Sequence, residues 1–376
     1  MQIALNARIL QAPRTGIGHY LAELVNALGQ EPDITLSLFH GWGWSSQLPS
    51  AAMPGYSRLS PVLRQIPGAY QARRWLEQRR FDQGRPGNIQ LYHEPSLWPL
   101  AFKGPTVVTL HDLTHVHYPA TQPAARLKEI ERRLEQGVKQ ASLILTDSQF
   151  IADEAQAYFG LGPERFVVAP LGVAPRFHPR TDSTLHPVLQ AHGVEPRGYF
   201  LCVGTLEPRK NLGLALRAHA QLPESLRQRM PLLIVGMAGW KAQQLDDELR
   251  KGLASGHVCL LGYLPDEEVA HLVAGARALV FPSIYEGFGL PVLEAMASGT
   301  PIILTRRSAM PEVAGAAGNY IEPEDLHGLR DAMSRLADDQ VHWQVSREAG
   351  LQQAKLFSWD RCATLTARAY RQVLGG

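Results

Sequence analysis

Hydrophobic positions along the chain fall into short runs separated by longer stretches with helical spacing. "IALNA" (3–7), "ITLSLF" (34–39), "IQLYH" (89–93), "TVVTL" (106–110), "SLILT" (142–146) and "RFVVAP" (165–170) are rich in leucine and β-branched residues and do not strictly alternate. That pattern predicts strands of a parallel sheet covered on both faces. Between the first two lies "GIGHYLAELVNALG". Here Ile17, Tyr20, Leu21, Leu24, Val25 and Leu28 form one apolar stripe and Gly29 ends the helix. A second series begins near residue 199 with "YFLCVG" and continues through "PLLIVG" (231–236), "HVCLLG" (257–262), "ALVFPS" (278–283) and "TPIIL" (300–304). The segment 174–198 between the series carries four prolines and several polar breakers, which predicts a linker. The expected architecture is α/β: two doubly wound, Rossmann-like domains, 1–180 and 195–356, facing across a cleft. An amphipathic helix, about Trp359–Leu374, would carry the closing segment 357–376 back to the first domain. Ligands in such folds bind at the carboxyl ends of the strands.

Composition narrows the possibilities. In a chain of 376 residues, 45% hydrophobic and 19% charged, both domains can bury a core. A net charge of +2 argues against nucleic acid as a partner. Cys202, Cys259 and Cys362 are far apart, as free thiols in a reducing compartment would be. The opening "MQIALNARIL" does not read as a secretory leader, and no apolar run approaches the ~20 residues of a membrane span. A cytoplasmic protein is expected, peripheral at most at the inner face of the membrane. The stretch 63–85 has six arginines interleaved with Tyr70, Trp75 and Phe81. It reads either as a solvated helix or as a face for an anionic membrane surface.

The chemistry is concentrated in "FPSIYEGFGLPVLEAMASGTPII" (281–303). Glu286 falls on the loop after a strand, and Gly287 and Gly289 let the backbone turn closely against a ligand. Pro291 opens a helix that runs through Glu294 to about Ser298, and Gly299 stops it. The amides of Phe288–Val292, among them those of Phe288, Gly289 and Leu290, would then face outward and suit a phosphate or diphosphate. Carboxylates on either side of an anion site accept from hydroxyls, and a nucleotide-diphosphate-sugar has that shape. Glu294 would hold the ribose and Glu286 the transferred sugar. The plainer alternative makes Glu294 a helix-dipole residue and Glu286 a solvated loop charge. A helix end contributes only ~0.3–1 kcal/mol toward an anion. Each cation hydrogen-bonded to it contributes ~1.5–3 kcal/mol. "LCVGTLEPRKNLGLALRA" supplies two such cations, Arg209 and Lys210, after the first strand of the second domain.

"VGTLEPRKNL" followed by "PSIYEGFGLPVLEAMASGTPII" resembles the carboxyl-terminal half of the retaining, GT-B-fold glycosyltransferases of family four, with the E-x7-E pattern at Glu286 and Glu294. The final "FSWDRCATLTARAYRQVL" resembles that family's closing segment. The resemblance implies that Arg209 and Lys210 bind the diphosphate, Glu286 the donor sugar and Glu294 the ribose, with backbone amides from Phe288–Leu290. Many members carry an arginine where this chain has Thr205. "NARILQAPRTGIGHYLAEL" resembles the family's amino-terminal loop, in which glycines, here Gly16 and Gly18, approach the donor phosphate; simple helix capping is the alternative. "TVVTLHDLTHVHYPA" places His111 and Asp112 after a strand. His111 resembles the family's active-site histidine, and Asp112 is the candidate acceptor-binding residue. His115 and His117 do not complete a known metal-ligand spacing with His111, so no metal is expected.

The implied activity is transfer of a hexose, with retention, from a nucleotide-diphosphate-sugar to a hydroxyl of a lipid-linked glycan. The cations would replace a metal, and no cofactor is needed. The amino-terminal motifs are most similar to those of bacterial mannosyl- and rhamnosyltransferases of O-antigen assembly. That favours GDP-mannose or GDP-rhamnose over a UDP- or dTDP-sugar. Two other classes compete: a sugar-nucleotide epimerase or hydrolase on the same fold, and a non-catalytic sugar-nucleotide-binding module.

Overall fold

The computed structural model describes residues 1–12, 16–48, 69–96, 98–121, 124–237 and 246–375. The chain forms two compact units. The first comprises Met1–Leu113, Lys128–Leu171 and Trp359–Gly376, and the second comprises Thr114–Leu127 and Gly172–Ser358.

The first unit contains β1 (Gln2–Asn6), β2 (Thr35–Phe39), β3 (Trp44–Ser45), β4 (Leu91–Glu94), β5 (Thr106–Leu110), β6 (Leu143–Thr146) and β7 (Phe166–Val168). They pair in the order β3-β2-β1-β4-β5-β6-β7, all parallel except the β2–β3 edge. Every residue of β5 is buried, as an unbroken apolar strand between two helix layers requires. The helix Gly16–Leu28 buries Tyr20, Leu21, Leu24, Val25 and Leu28. The helix Trp359–Leu374 packs beside it and buries Trp359, Cys362, Ala363, Ala367 and Tyr370. The Tyr370 hydroxyl lies 2.6 Å from Nδ1 of the buried His93 on β4, which ties the last helix into this unit's core.

The second unit contains β8 (Phe200–Val203), β9 (Leu232–Val235), β10 (Val258–Gly262), β11 (Ala278–Phe281), β12 (Ile302–Thr305) and β13 (Gly318–Ile321). These form a parallel sheet in the order β10-β9-β8-β11-β12-β13, the Rossmann order. The strand order reverses between β8 and β11 here, and between β1 and β4 in the first unit. Loops leaving the carboxyl ends of those pairs frame the crevice in which such sheets bind ligands.

The structure corrects one expectation. The segment 174–198 is no bare linker: it holds the helix Asp182–Gln190, with Pro187 inside. Leu185 and Leu189 are buried, and the helix packs on the helix Asp266–Gly275. Around it, Arg176 and Arg180 pair with Asp266 and Glu267, and His192 with Glu268. Prolines there shape the chain without releasing it.

Among the described residues, no helix is long and apolar enough to cross a membrane.

Candidate functional site

Two loops of the second unit, after the neighbouring strands β8 and β9, meet beside its switch point. After β8 the backbone passes Gly204 (φ 141°), and after β9 it passes Gly236 (φ 153°). The loops nearly touch: a Cβ on Gly236 would lie 1.8 Å from the Gly204 carbonyl oxygen. Gly204 N donates to Val235 O, and Leu206 N to Met237 O, each at 2.9 Å. Glycine at these positions lets the β8 loop lie against the sheet and aim the turn Pro208–Lys210 at the end of β11. Asn211, at φ 52°, then starts the helix Leu212–Ala220.

That turn delivers two cations to one carboxylate. Arg209 Nη1 donates to Glu286 Oε2 at 2.6 Å and to the Tyr285 carbonyl at 2.6 Å, and its Nη2 donates to Glu207 Oε1 at 2.7 Å. Lys210 Nζ donates to Glu286 Oε1 at 2.7 Å and lies 4.9 Å from the Phe281 ring centre. Glu286 is only 6% exposed and Glu207 is buried beside it. Burial alone would raise the Glu286 pKa, but Arg209 and Lys210 outweigh it and hold the carboxyl at about 2. The Lys210 pKa is lowered, chiefly by burial, with Glu286 opposing. Read along the chain, Glu286 has no basic neighbour. In space it has two, supplied from 76 and 77 residues away. The loop is pinned further by Glu286 N, which donates to Ser308 Oγ at 2.9 Å, and by Ile284 N, which donates to the Arg209 carbonyl at 2.9 Å.

The helix following this loop spans Leu290–Ala297, with Gly289 (φ 91°) as its N-cap and Pro291 in its first turn. The backbone conformation demands glycine there; a Cβ would also meet the flexible end of Met310, its Cε at 2.5 Å. Val292 N already donates to Gly289 O at 2.9 Å, and Pro291 has no N–H. Of the amides of Phe288–Val292, those of Phe288, Gly289 and Leu290 therefore remain as candidates for an anion. Glu294 lies on the partly exposed stripe of the helix with Leu290 and Ala297, while Val292, Leu293, Ala295 and Met296 are buried. Gly287 is buried in the same loop. Thr205 lines a small hollow that it shares with Gly204, Lys210 and Ser283.

In the first unit, Gly16 and Gly18 open the helix Gly16–Leu28, and Gly18 is buried. Gly16 stands open, since an added Cβ would meet nothing within 4 Å. His111 follows β5, its Nδ1 2.7 Å from Asp147 Oδ2 and its Nε2 3.1 Å from the Pro95 carbonyl. Asp112 is next to it and partly exposed. His117 and Tyr118 belong to the second unit, where their rings lie 5.8 and 5.3 Å from Tyr285. Among the described residues, no three histidine, cysteine, aspartate or glutamate side chains group as a metal site.

Several partners escaped the sequence reading. Glu207 sits in the same segment as the two cations, two residues before Arg209. Asp147 follows β6 as His111 follows β5, so the same strand-end rule would have found it. Glu94, at the end of β4, is buried and accepts from Asn6 Nδ2, the Tyr92 hydroxyl and Ser96 Oγ at 2.6–2.7 Å. It follows the apolar run "IQLYH", so the same strand-end rule would have found it too.

Comparison with known proteins now places the chain. Residues 190–353 match the model for glycosyl transferases group 1, and residues 14–177 match the model for glycosyltransferase family 4. The chain is 35% identical, over 99% of its length and 100% of the relative's, to the O-antigen chain mannosyltransferase B of Escherichia coli. It is 30% identical to the MMP alpha-(1->4)-mannosyltransferase of Mycolicibacterium hassiacum, over 80% of this chain and 74% of that one. Its fold matches WaaG, a glycosyltransferase involved in lipopolysaccharide biosynthesis, with a TM-score of 0.74 at 18% identity over the whole of both chains. Two Rossmann-like sheets of this order, both family models and a full-length relative agree: the chain is a GT-B-fold glycosyltransferase and belongs to family 4, group 1.

Proposed function

We propose that this glycosyltransferase moves a mannosyl group, with retention, from a GDP-linked donor to a hydroxyl of a lipid-linked glycan of the O-antigen kind. The observation that carries the reading is the full-length similarity to an O-antigen chain mannosyltransferase. GDP-rhamnose is the second donor, and UDP- or dTDP-sugars follow.

The chemistry rests on the ion cluster of the second unit. Two carboxylates (Glu207, Glu286) and two cations (Arg209, Lys210) nearly cancel there. The donor's diphosphate would draw Arg209 and Lys210 onto its oxygens, and Glu286 would turn its carboxylate to the sugar hydroxyls. Charge grows on the departing phosphate as the glycosidic bond breaks, so both cations hold it most tightly in the transition state. The amides of Phe288, Gly289 and Leu290 add the helix-end contribution, and Glu294 accepts from the ribose. Thr205 stands where an arginine would add a third cation, so Arg209 carries more of the load here. The departing phosphate takes the acceptor's proton on the same face. In the first unit, Gly16 and Gly18 are assigned to the donor phosphate, His111 to the sugar and Asp112 to the acceptor.

Membrane attachment is part of the same proposal. Of the stretch 63–85, residues 63–68 lie outside the described residues. The helix Ala69–Gly84 buries Phe81 and Glu77 and leaves Trp75 62% exposed, with the Arg79 guanidinium 5.5 Å from its ring. Arg73 and Arg80 are exposed on the same helix. Indole and guanidinium side by side suit an anionic lipid surface.

The test is turnover of GDP-mannose, GDP-rhamnose and UDP- and dTDP-sugars with a lipid-linked acceptor, beside thermal shifts with the free nucleotide diphosphates. Acceptor-dependent release of GDP with a retained anomeric product supports the reading. Donor consumption without acceptor would replace it with a hydrolase or epimerase, and nucleotide binding without turnover with a non-catalytic module.

A further inference from the structure

We infer that His111 is held as a doubly protonated imidazolium, and that Asp147, at the end of the neighbouring strand β6, is the positioning residue that keeps it so. Both ring nitrogens face acceptors. Nε2 meets the Pro95 carbonyl oxygen, which cannot donate, so Nε2 carries a hydrogen. Nδ1 meets the Asp147 carboxyl at 2.7 Å. Burial raises the Asp147 pKa and the pairing with His111 opposes it, so in the pair inferred here the carboxyl is ionised and cannot donate either. His93, on β4, is the contrast. Its nitrogens meet the hydroxyls of Tyr370 and Thr109, at 2.6 and 2.8 Å, which can give or take a hydrogen. Burial, with His111 adding to it, lowers the His93 pKa to about 3, so that ring stays neutral.

The surroundings favour a cation at position 111. Asp147 faces it from beyond β6 and Asp112 from its own strand end, while the neutral His93 on β4 adds no charge. Tyr20, from the helix Gly16–Leu28, lies edge-on with ring centres 4.8 Å apart. Cys362, on the closing helix, faces Asp147. Burial keeps both Tyr20 and Cys362 protonated and uncharged. Two carboxylates thus act on one imidazole. Burial opposes the charge, but the Asp147 carboxylate and its hydrogen bond outweigh it, and the His111 pKa is raised.

This state excludes one role and supports another. Neither nitrogen keeps a lone pair for a proton, so His111 is no general base. It is a charged hydrogen-bond donor that ties together the ends of β4, β5 and β6. In the transferase reading above, on which this consequence rests, it offers positive charge to the sugar or departing phosphate, both N–H groups being held by Asp147 and the Pro95 carbonyl.

The test uses the full chain with 15N-labelled histidine, read by long-range proton–nitrogen spectra from about pH 5 to about pH 9, together with kcat/KM for transfer over the same range. One histidine should show both nitrogens protonated at neutral pH and titrate above the ordinary ~6.5. Transfer should fall as pH rises through that point, because the active form is the cation. Asp147→Asn should move the titration and the alkaline limb of kcat/KM down together. The imidazolium fraction at the alkaline end should drop ~10-fold or more, and Asp147→Glu should restore much of it. A neutral ring with one bare nitrogen at neutral pH, its proton residing on Asp147, would overturn the inference, as would an alkaline limb unmoved in Asp147→Asn. Full turnover by His111→Ala would instead remove His111 from the transfer site while the spectra still judged its protonation.

Discussion

Replacing Glu286 by glutamine should make the enzyme less stable, bind free GDP more tightly and turn over more slowly. The change keeps the shape of the side chain and removes one charge. Arg209 retains Glu207 and the Tyr285 carbonyl, but Lys210 keeps only an amide oxygen and the Phe281 ring. The carboxyl titrates at about 2, against a reference value of 4.5. At 1.36 kcal/mol per unit that depression corresponds to ~3 kcal/mol of stabilisation. The same figure lies at the lower end of the ~3–5 kcal/mol expected on breaking a buried pair. Its sign is that of a depressed acid: the stabilisation is full above about pH 4.5 and disappears as pH falls toward about 2. A loss of ~3 kcal/mol in a unit of this size lowers Tm by ~6–12 °C. The freed cations then accept the diphosphate without competition, so GDP should bind about tenfold tighter and shift Tm further than in the parent. Turnover should fall by at least ~100-fold, because the sugar loses its carboxylate. Differential scanning fluorimetry with and without GDP, calorimetric titration of GDP and steady-state transfer kinetics separate the three effects. If GDP bound more weakly to Glu286→Gln than to the parent, the diphosphate would not lie on Arg209 and Lys210, and the exchange of partners proposed above would be wrong.

Other expectations follow from the same geometry. Lys210→Ala should lower kcat far more than it raises the donor KM, by ~10–100-fold, since its contact strengthens as charge develops on the leaving group; initial-rate kinetics decide it. Glu294→Ala should do the reverse, raising the donor KM with a modest change in kcat, as expected for a ribose contact that is the same in ground and transition states. Gly236→Ala should cost ~2 kcal/mol or more and show as a lowered Tm, because the new Cβ would be 1.8 Å from the Gly204 carbonyl on a backbone already at positive φ. Trp75→Ser should weaken co-sedimentation with phosphatidylglycerol-containing vesicles while leaving soluble-acceptor turnover intact.

The sequence disclosed strands where burial on both faces made them mostly apolar, and β11, at the switch point of the second unit, is one of them. β5 and β11 are wholly buried and were visible as "TVVTL" and "ALVF". β13, "GNYI", is a partly exposed edge strand with glycine and asparagine in it, so no apolar run marks it. β3 is two residues long and antiparallel, below what periodicity can detect. The helix Asp182–Gln190 was obscured by its own Pro187 and the prolines around it, although Leu185 and Leu189 carry the helical spacing. The candidate site divides in the same way. Positions were legible because the Rossmann rule places chemistry just after strands, and His111, Arg209, Lys210 and Glu286 all stand there. Pairings were not, because they join residues far apart in the chain: Arg209 to Glu286, Lys210 to Glu286, His111 to Asp147. Charge state is a property of the pair. Read singly, Arg209 and Lys210 are spare counter-charge waiting for a diphosphate, and His111 is an imidazole with a lone pair to offer. In their pairs, the two cations are already neutralised, and on the inference drawn for His111 the imidazole has no lone pair left. On the proposed function, the donor binds by exchanging partners with Glu286, and the energy of that exchange, more than the number of cations, sets its affinity.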